Sequence, residues 1–186
     1  MKRNIVIATL TAAALATGGT VAAFASGNDE ATATQRQANA GAKVTAAEAI
    51  AAALKHTPGT AVSADLDDDG ADAWEVSVVK GDGSESEVRI APDSGKVLGA
   101  QRDTEDDTDT DDTDDRAELA AVKGAHTDAR EAALAAAAKG TVTEVGLDDD
   151  NGTVAWSADT VKDGRQGEWK VALDSGKVTQ DRDDDA

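Results

Sequence analysis

Two kinds of hydrophobic pattern alternate along this chain. After Thr45, apolar side chains recur every three to four positions, with Ile50 and Leu54 on one stripe, which is typical of a short helix. The segments that follow alternate apolar and polar residues, which predicts β-strands. These segments are residues 61–66, 73–79 and 86–91, and later residues 142–147, 153–161 and 167–173. The pattern therefore predicts a helix followed by an antiparallel meander, and it does so twice.

Capping signals define both predicted helices. Thr45 and Glu48 have the spacing of a capping box, and Pro58-Gly59 ends the first helix. In the second half, Thr127-Asp128 can cap a helix in which Leu134 and several alanines form the apolar stripe. Both helices are short, so we expect them to depend on packing against a sheet.

An internal repeat explains why the pattern occurs twice. Residues 59–97 align with residues 140–178 at a shift of 81 positions, with 15 identities in 39 positions. The longest shared run is Asp93-Ser94-Gly95-Lys96-Val97, which recurs as residues 174–178. An Asp that begins such a run and a Gly two residues later are what a tight turn needs. The duplication therefore predicts a scaffold that is used twice.

The expected fold class is α+β, with two tandem modules. Each module should pack one α-helix on a three-stranded to four-stranded antiparallel sheet. Composition divides the chain further, because two segments are too polar or too acidic to bury a core. The expected parts are a signal peptide (1–25), a disordered arm (26–42), module 1 (43–102), an acidic linker (103–115), module 2 (116–180) and an acidic tail (181–186).

The first 25 residues have the layout of a secretory signal peptide. Lys2 and Arg3 precede an apolar stretch, and Ala23-Phe24-Ala25 provides a small-x-small cleavage site. An uncleaved anchor is the alternative, but the stretch is rich in Ala, Thr and Gly, which favour membrane insertion poorly. We expect cleavage after Ala25 and a secreted product, extracellular or in the cell envelope, with no membrane attachment.

Charge and cysteine content narrow the classes of partner. The chain has 18 Lys and Arg against 37 Asp and Glu, for a net charge of −19, and it has no Cys. Such a charge repels nucleic acid and anionic lipid, so we expect neither as a partner. Without disulfides, each module must be stable through packing alone.

Three tryptophans are the aromatic residues that remain after signal cleavage: Trp74, Trp156 and Trp169. As the largest side chains they are expected in the core, although on an open sheet face they would form a peptide-binding patch. Trp74 aligns with Trp156 only at a shift of 82, which predicts a one-residue bulge near the tryptophan in one copy.

One acidic stretch resembles the first half of a calcium-binding loop. Asp65, Asp67 and Asp69 have the alternate spacing of calcium ligands, but Val76 stands at the twelfth position, where the closing Glu is needed. The second copy has Gly146 in place of the first Asp. An acidic hairpin turn is therefore favoured. Calcium is the one cofactor that the sequence suggests, and the acidic linker is the more suitable segment to bind it weakly.

The sequence offers no arrangement of residues that would support catalysis. His56 and His126 have no equivalents in the other copy, and Cys is absent. Paired carboxylates abound, but mainly on flexible acidic runs that cannot hold a fixed geometry. We therefore expect a protein that is not an enzyme.

The order of helix, glycine stop, acidic turn and Asp-Ser-Gly-Lys-Val closure resembles the PepSY domain. The resemblance covers about residues 43–99 and 125–179, with the two Asp-Ser-Gly-Lys-Val runs as its most specific element. It implies a non-catalytic module that binds a protein or peptide and inhibits or regulates extracellular peptidases, with an exposed strand edge as the binding route. The alternative is an acidic, cation-binding envelope or extracellular interaction protein. The sequence leaves the oligomeric state open.

Overall fold

The computed structural model describes residues 42–67, 73–102, 119–150 and 152–181. The predicted signal peptide and acidic linker lie outside these ranges, as do most of the predicted N-terminal arm and acidic tail. Asp69 also lies outside them.

Each module forms one helix followed by four antiparallel strands. Module 1 consists of α1 (Ala46–His56), β1 (Thr60–Asp67), β2 (Ala73–Val79), β3 (Glu85–Ile90) and β4 (Val97–Arg102). Module 2 consists of α2 (Ala129–Ala136), β5 (Thr141–Asp150), β6 (Thr153–Lys162), β7 (Arg165–Val171) and β8 (Val178–Gln180). The predicted α+β class, with helices packed on an antiparallel sheet, is confirmed.

Capping boxes begin both helices. At α1, Thr45 Oγ1 accepts from the Glu48 N–H at 3.3 Å, and Glu48 Oε2 accepts from the Thr45 N–H at 2.9 Å. At α2, Asp128 Oδ1 accepts from the Glu131 N–H at 2.8 Å, and Glu131 Oε2 accepts from the Asp128 N–H at 3.1 Å. The first box is the predicted one, and in the second module Asp128 is the N-cap.

The two modules share one continuous sheet of eight strands, in the order β4-β3-β2-β1-β5-β6-β7-β8. The modules meet where β1 pairs antiparallel with β5, through Ala64 opposite Val145 and Asp65 opposite Glu144. Ala64 and Val145 occupy equivalent positions in the repeat, so an approximate twofold axis passes between them. The junction therefore resembles the isologous interface of a dimer. We call this β1–β5 junction the seam.

Both helices lie on one face of the sheet, over a single core. The core is aliphatic apart from two tryptophans, and its largest fully buried side chains are Trp74, Trp156, Ile50, Ile90, Val76, Val78, Val88, Val145 and Val171. Val122, in a helical turn at residues 119–123, is buried in the same cluster. The hydrophobic cluster thus includes residues of both modules.

The buried face of α2 differs from the predicted stripe. Leu134 is 52% exposed, so its assignment to the apolar face is wrong. The residues that face the sheet are all alanines: Ala129, Ala132, Ala133 and Ala136. Small side chains allow this helix to lie close to the sheet, and a leucine at one of these positions would exceed the available space.

The predicted bulge near a tryptophan is also wrong. Leu66 pairs with Trp74 and Leu147 pairs with Trp156 in a regular register. The extra residue of module 2 therefore belongs to the connection between its first two strands. Register shifts do occur, but at equivalent places in both copies, at residues 61–63 and 142–144.

Candidate functional site

Two of the three predicted tryptophan candidates are enclosed in the core. Trp74 and Trp156 are 1% and 0% exposed. Each indole Nε1 donates to a backbone carbonyl just before the helix N-cap, Val44 O for Trp74 and Thr127 O for Trp156, at 2.9 Å in both cases. These side chains connect the sheet to the helix start and offer no surface to a ligand.

Trp169 is only half-buried, on the same face of the sheet as the helices. Its Nε1 donates to Thr160 Oγ1 at 2.9 Å, and the Lys139 ammonium lies 4.9 Å from the ring centroid. A cation at this distance from an indole face is attracted to it. Among the three tryptophans, only Trp169 could therefore contribute to a surface patch.

The carboxylates of the calcium-loop candidate lie on a strand. Asp65 and Asp67 belong to β1, and Asp65 is paired with neighbouring strands on both sides. A calcium loop needs ligands that converge from a curved segment, whereas residues i and i+2 of a strand project in parallel. Asp69 lies outside the described residues. Within the described ranges, no group of three or more His, Asp or Glu side chains is arranged to hold a metal ion.

The Asp-Ser-Gly-Lys runs form tight turns that fasten the helix start. Gly95 and Gly176 have φ values of 69° and 63°, in the left-handed region that favours glycine. In module 1, the carbonyl before the turn accepts from two backbone N–H groups, with Lys43 N and Val44 N at 2.8 and 2.9 Å from Pro92 O. Leu173 O makes the equivalent pair of contacts in module 2.

The histidines lie in structural positions. His56 is the last residue of α1, and its Nδ1 lies 3.0 Å from Thr57 Oγ1. His126 contributes its backbone N–H to Leu173 O at 3.1 Å. Neither contact brings the imidazole to a second catalytic group.

The eight-stranded sheet ends in two edge strands of different character. In the described part of the chain, β8 is a three-residue edge that leads directly into Asp181 and the acidic C-terminal residues. β4 is a six-residue edge with the sequence Val-Leu-Gly-Ala-Gln-Arg, which contains no acid. An edge strand presents backbone N–H and C=O groups to a further strand unless charge or shortness prevents it. β4 is the longer edge, and the acidic linker that begins at Asp103 follows it just as Asp181 follows β8.

Leu98 is the most exposed large apolar side chain on this edge. It is 54% exposed and lies where the pairing of β3 with β4 shifts, between Val97 and Gly99. A bulged residue is displaced from the regular ladder, which directs its side chain outward. The remainder of β4 pairs regularly with β3 as far as Arg102. The edge therefore combines an apolar side chain with a regular strand.

The sheet face opposite the helices carries a continuous row of carboxylates. Strand pairing places Glu75 opposite Asp65, Asp65 opposite Glu144, Glu144 opposite Asp159, and Asp159 opposite Glu168. We call these five residues the carboxylate row. It crosses five adjacent strands and the seam.

Burial changes the acidity of two members of the carboxylate row. Partial burial raises the pKa of Glu75, and the charges of Glu87 and Asp67 raise it further, against a smaller opposing effect of Arg89. Burial also raises the pKa of Glu144, with an added contribution from Glu168. Although Glu144 is exposed at the surface, its place in the middle of the sheet removes much of the bulk water around it.

Sequence reasoning missed both the long β4 edge and the carboxylate row. After the Asp-Ser-Gly-Lys turn, the sequence predicts only a short extension, at Val97-Leu98 in module 1 or at Val178 in module 2. The row is a product of strand register, which places acids that are far apart in sequence on adjacent strands. An alternation of acidic and apolar residues in each strand was the one available signal.

Comparison with known proteins identifies the domain. The family model for the PepSY domain, "Peptidase propeptide and YPEB domain", matches residues 43–101 and 125–182. A crystal structure described as that of a "putative lipoprotein" from Clostridium difficile 630 is similar over 75% of this chain and 92% of that chain, with 21% identity and a TM-score of 0.43. No curated protein matches the sequence. Within the described residues, no helix is long and apolar enough to cross a membrane.

The matched regions cover more than half of the chain, and each contains the same helix and four strands. The chain therefore belongs to the PepSY family and contains two copies of the domain in tandem.

Proposed function

We propose that this protein is secreted, lacks catalytic activity, and regulates extracellular peptidases by binding an extended segment of its partner along the β4 edge. The observation that supports the proposal is the character of β4, a six-residue edge strand without an acid in a strongly acidic chain. The family description, which names peptidase propeptides, supports the class of partner.

Backbone pairing would provide the common part of the interaction. A strand added to a sheet edge satisfies its N–H and C=O groups regardless of its sequence, and side-chain contacts then supply specificity. The molecule already uses this type of contact internally, since β1 and β5 join the two modules edge to edge. Strand addition at β4 would extend the same sheet by one strand.

Charge determines which partners are suitable. A second copy of this chain would bring a further net charge of −19 to the edge, so self-association is electrostatically unfavourable. A basic extended segment is attracted instead, and a neutral segment is not repelled. Leu98 would pack against an apolar side chain of that segment, and burial of its exposed half is worth about 1 kcal/mol.

A matched pair of variants tests the proposal. Leu98→Lys places a charge on the edge, whereas Leu134→Lys makes the same change at a leucine of similar exposure, 52% against 54%, on the outer side of α2. Protein without residues 1–25 would be incubated at micromolar concentration with secreted thermolysin-like metallopeptidases, and peptide hydrolysis would be measured. We expect inhibition by the parent protein, an inhibition constant about tenfold weaker for Leu98→Lys, and no change for Leu134→Lys.

Two results would contradict this proposal. If the parent protein leaves every peptidase unaffected, the regulatory function is not supported. If inhibition occurs but both variants weaken it equally, the partner binds elsewhere than on β4.

The second candidate function is cation binding, which stays a prediction. The acidic linker, at residues 103–115, supplies oxygen ligands in number, and calcium prefers such ligands. Calorimetric titration of the purified protein with calcium would test it, and an absence of heat with an unchanged melting temperature would remove this candidate.

A further inference from the structure

The seam contains a pair of like charges at the point where the two modules meet. Only two residue pairs connect β1 with β5, and one of them places Asp65 opposite Glu144. Directly opposed side chains in an antiparallel pair lie about 5 Å apart at Cβ, and like charges at this separation are destabilising. The sheet is thus joined at a position where two acidic residues lie opposite each other.

The repeat itself shows that this acidic pair is not required by the domain. At the shift of 81 positions, Ser63 is the equivalent of Glu144 and Gly146 is the equivalent of Asp65. A seam formed by two identical copies of either module would therefore place an acid opposite an uncharged residue, Asp opposite Ser or Glu opposite Gly. Divergence of the two copies has instead brought both acids together.

The acids beside this pair extend the repulsion. Glu144 has Asp159 opposite it on β6, and Glu168 lies one strand further, on β7. On the module 1 side, Asp65 has Glu75 opposite it on β2. Strand pairing thus places an acid on each side of Glu144, Asp65 on β1 and Asp159 on β6.

The cations on this face lie towards its outer strands. On β3, Arg89 Nε is 3.3 Å from Glu75 Oε1, although it makes no hydrogen bond there. On β7, Lys170 Nζ lies 3.5 Å from Asp148 and 3.7 Å from Asp181. The seam strands β1 and β5 contain no Lys or Arg in their sequences.

We propose that the carboxylate row makes the pairing of the two modules dependent on pH, so that the seam tightens as the solution becomes acidic and loosens towards neutral pH. Protonation of one carboxylate of an opposed pair removes the repulsion and provides a hydrogen-bond donor. The two helices lie on the other face, with the sheet between them and the row. The inference is independent of any peptidase partner.

The direction of the pH dependence follows from the pKa shifts of Glu75 and Glu144. Both have a pKa raised above the ordinary value of 4.5 by the folded structure. Between that value and the raised pKa, the folded protein holds protons that the unfolded chain has released, so stability falls as pH rises through this window. Glu48 acts in the opposite sense, because its hydrogen bonds with Thr45 lower its pKa. Its contribution to stability is lost as the pH falls below 4.5. The predicted increase in stability on acidification therefore ends near pH 4.5.

Hydrogen exchange would measure the seam directly. Protection factors of the backbone amides in β1 and β5, corrected for the intrinsic exchange rate, would be compared between about pH 5 and about pH 8. We expect protection at the seam to decrease about tenfold at the higher pH, and amides of β3 to change less. Urea unfolding at the same pH values would provide the global stability.

Isosteric variants identify the cause. Glu144→Gln removes the central charge of the row, and Asp93→Asn removes one charge from an exposed turn. We expect Glu144→Gln to lose most of the pH dependence at the seam and Asp93→Asn to retain it. Asp65→Asn gives a second test from the other strand. The proposal is overturned if seam protection is unchanged between the two pH values, or if Glu144→Gln and Asp65→Asn keep the dependence of the parent protein.

Discussion

At the scale of single residues, the tryptophans show how one side chain can organise a small module. Trp74 and Trp156 fill the core between helix and sheet. The indole N–H of each donates a hydrogen bond to the backbone carbonyl just before a helix N-cap. The indole therefore positions the helix start as well as filling space. The other buried side chains of the core cluster are Ala, Val, Ile and Leu, which are smaller than an indole and carry no hydrogen-bond donor.

Replacing one of these indoles tests whether it both fills the core and positions the helix start. Trp156→Phe removes the donor to Thr127 O and leaves space in the core, so we expect a loss of about 1–3 kcal/mol in the free energy of unfolding. Urea denaturation followed by circular dichroism would measure it. Trp169→Phe is the control, because that side chain is only half-buried, and its loss should be smaller. Equal losses would show that indole burial does not determine stability here.

At the scale of elements, a close approach between the helix end and the sheet determines where glycine is needed. Gly59 and Gly140 were interpreted from sequence as helix stops. In the structure a Cβ at Gly59 would lie 2.5 Å from Val79 O, and one at Gly140 would lie 2.9 Å from Val161 O. These glycines allow the first strand of each module to begin against the second. Their requirement is steric, since neither has a positive φ.

A pair of alanine variants separates this steric effect from the general cost of glycine. Gly59→Ala would force the β1 and β2 backbones apart, and we expect it to lower the free energy of unfolding by about 1–3 kcal/mol. Gly146→Ala is the control, because a Cβ there meets nothing within 4 Å. It should be neutral or raise stability by up to about 1 kcal/mol. Thermal melts of both variants would decide, and a stable Gly59→Ala protein would contradict the predicted clash.

At the scale of the whole molecule, the tandem copies share one sheet and one core. They share a sheet through the seam and a hydrophobic cluster that includes residues of both modules. A unit of about 60 residues buries only about 60% of its unfolded surface and is marginal alone. Duplication solves this problem without disulfides, because each copy covers the exposed first strand of the other.

Separating the copies should therefore destabilise both. We expect residues 43–110 and residues 116–186, produced as separate polypeptides, to lack a cooperative thermal transition at the temperature where the full chain melts. Mixing them in equal amounts should restore part of the helical signal in circular dichroism. Separate halves that melt like the intact protein would show that the seam contributes little to stability.

The calcium candidates and Leu134 show the limits of pattern matching. Asp65 and Asp67 have ligand spacing in sequence, but β1 holds them in an extended strand, where their side chains project in parallel. The capping box at Thr45 was predicted correctly because its partners lie within one helical turn. Leu134 was assigned to the wrong face because an alanine-rich helix has too little hydrophobic contrast to define its buried side.

The sequence by itself determined the features that depend on nearby residues or on self-comparison: the duplication, the helix starts, the glycine turns and the α+β class. Only the tertiary structure decided which strands lie at the edges, that β1 and β5 join the copies, and that acids from five strands form one row. Pairing between distant strands depends on register and on burial across the whole sheet, and neither is encoded in a local pattern. The proposed binding edge and the pH-dependent seam both follow from that long-range pairing.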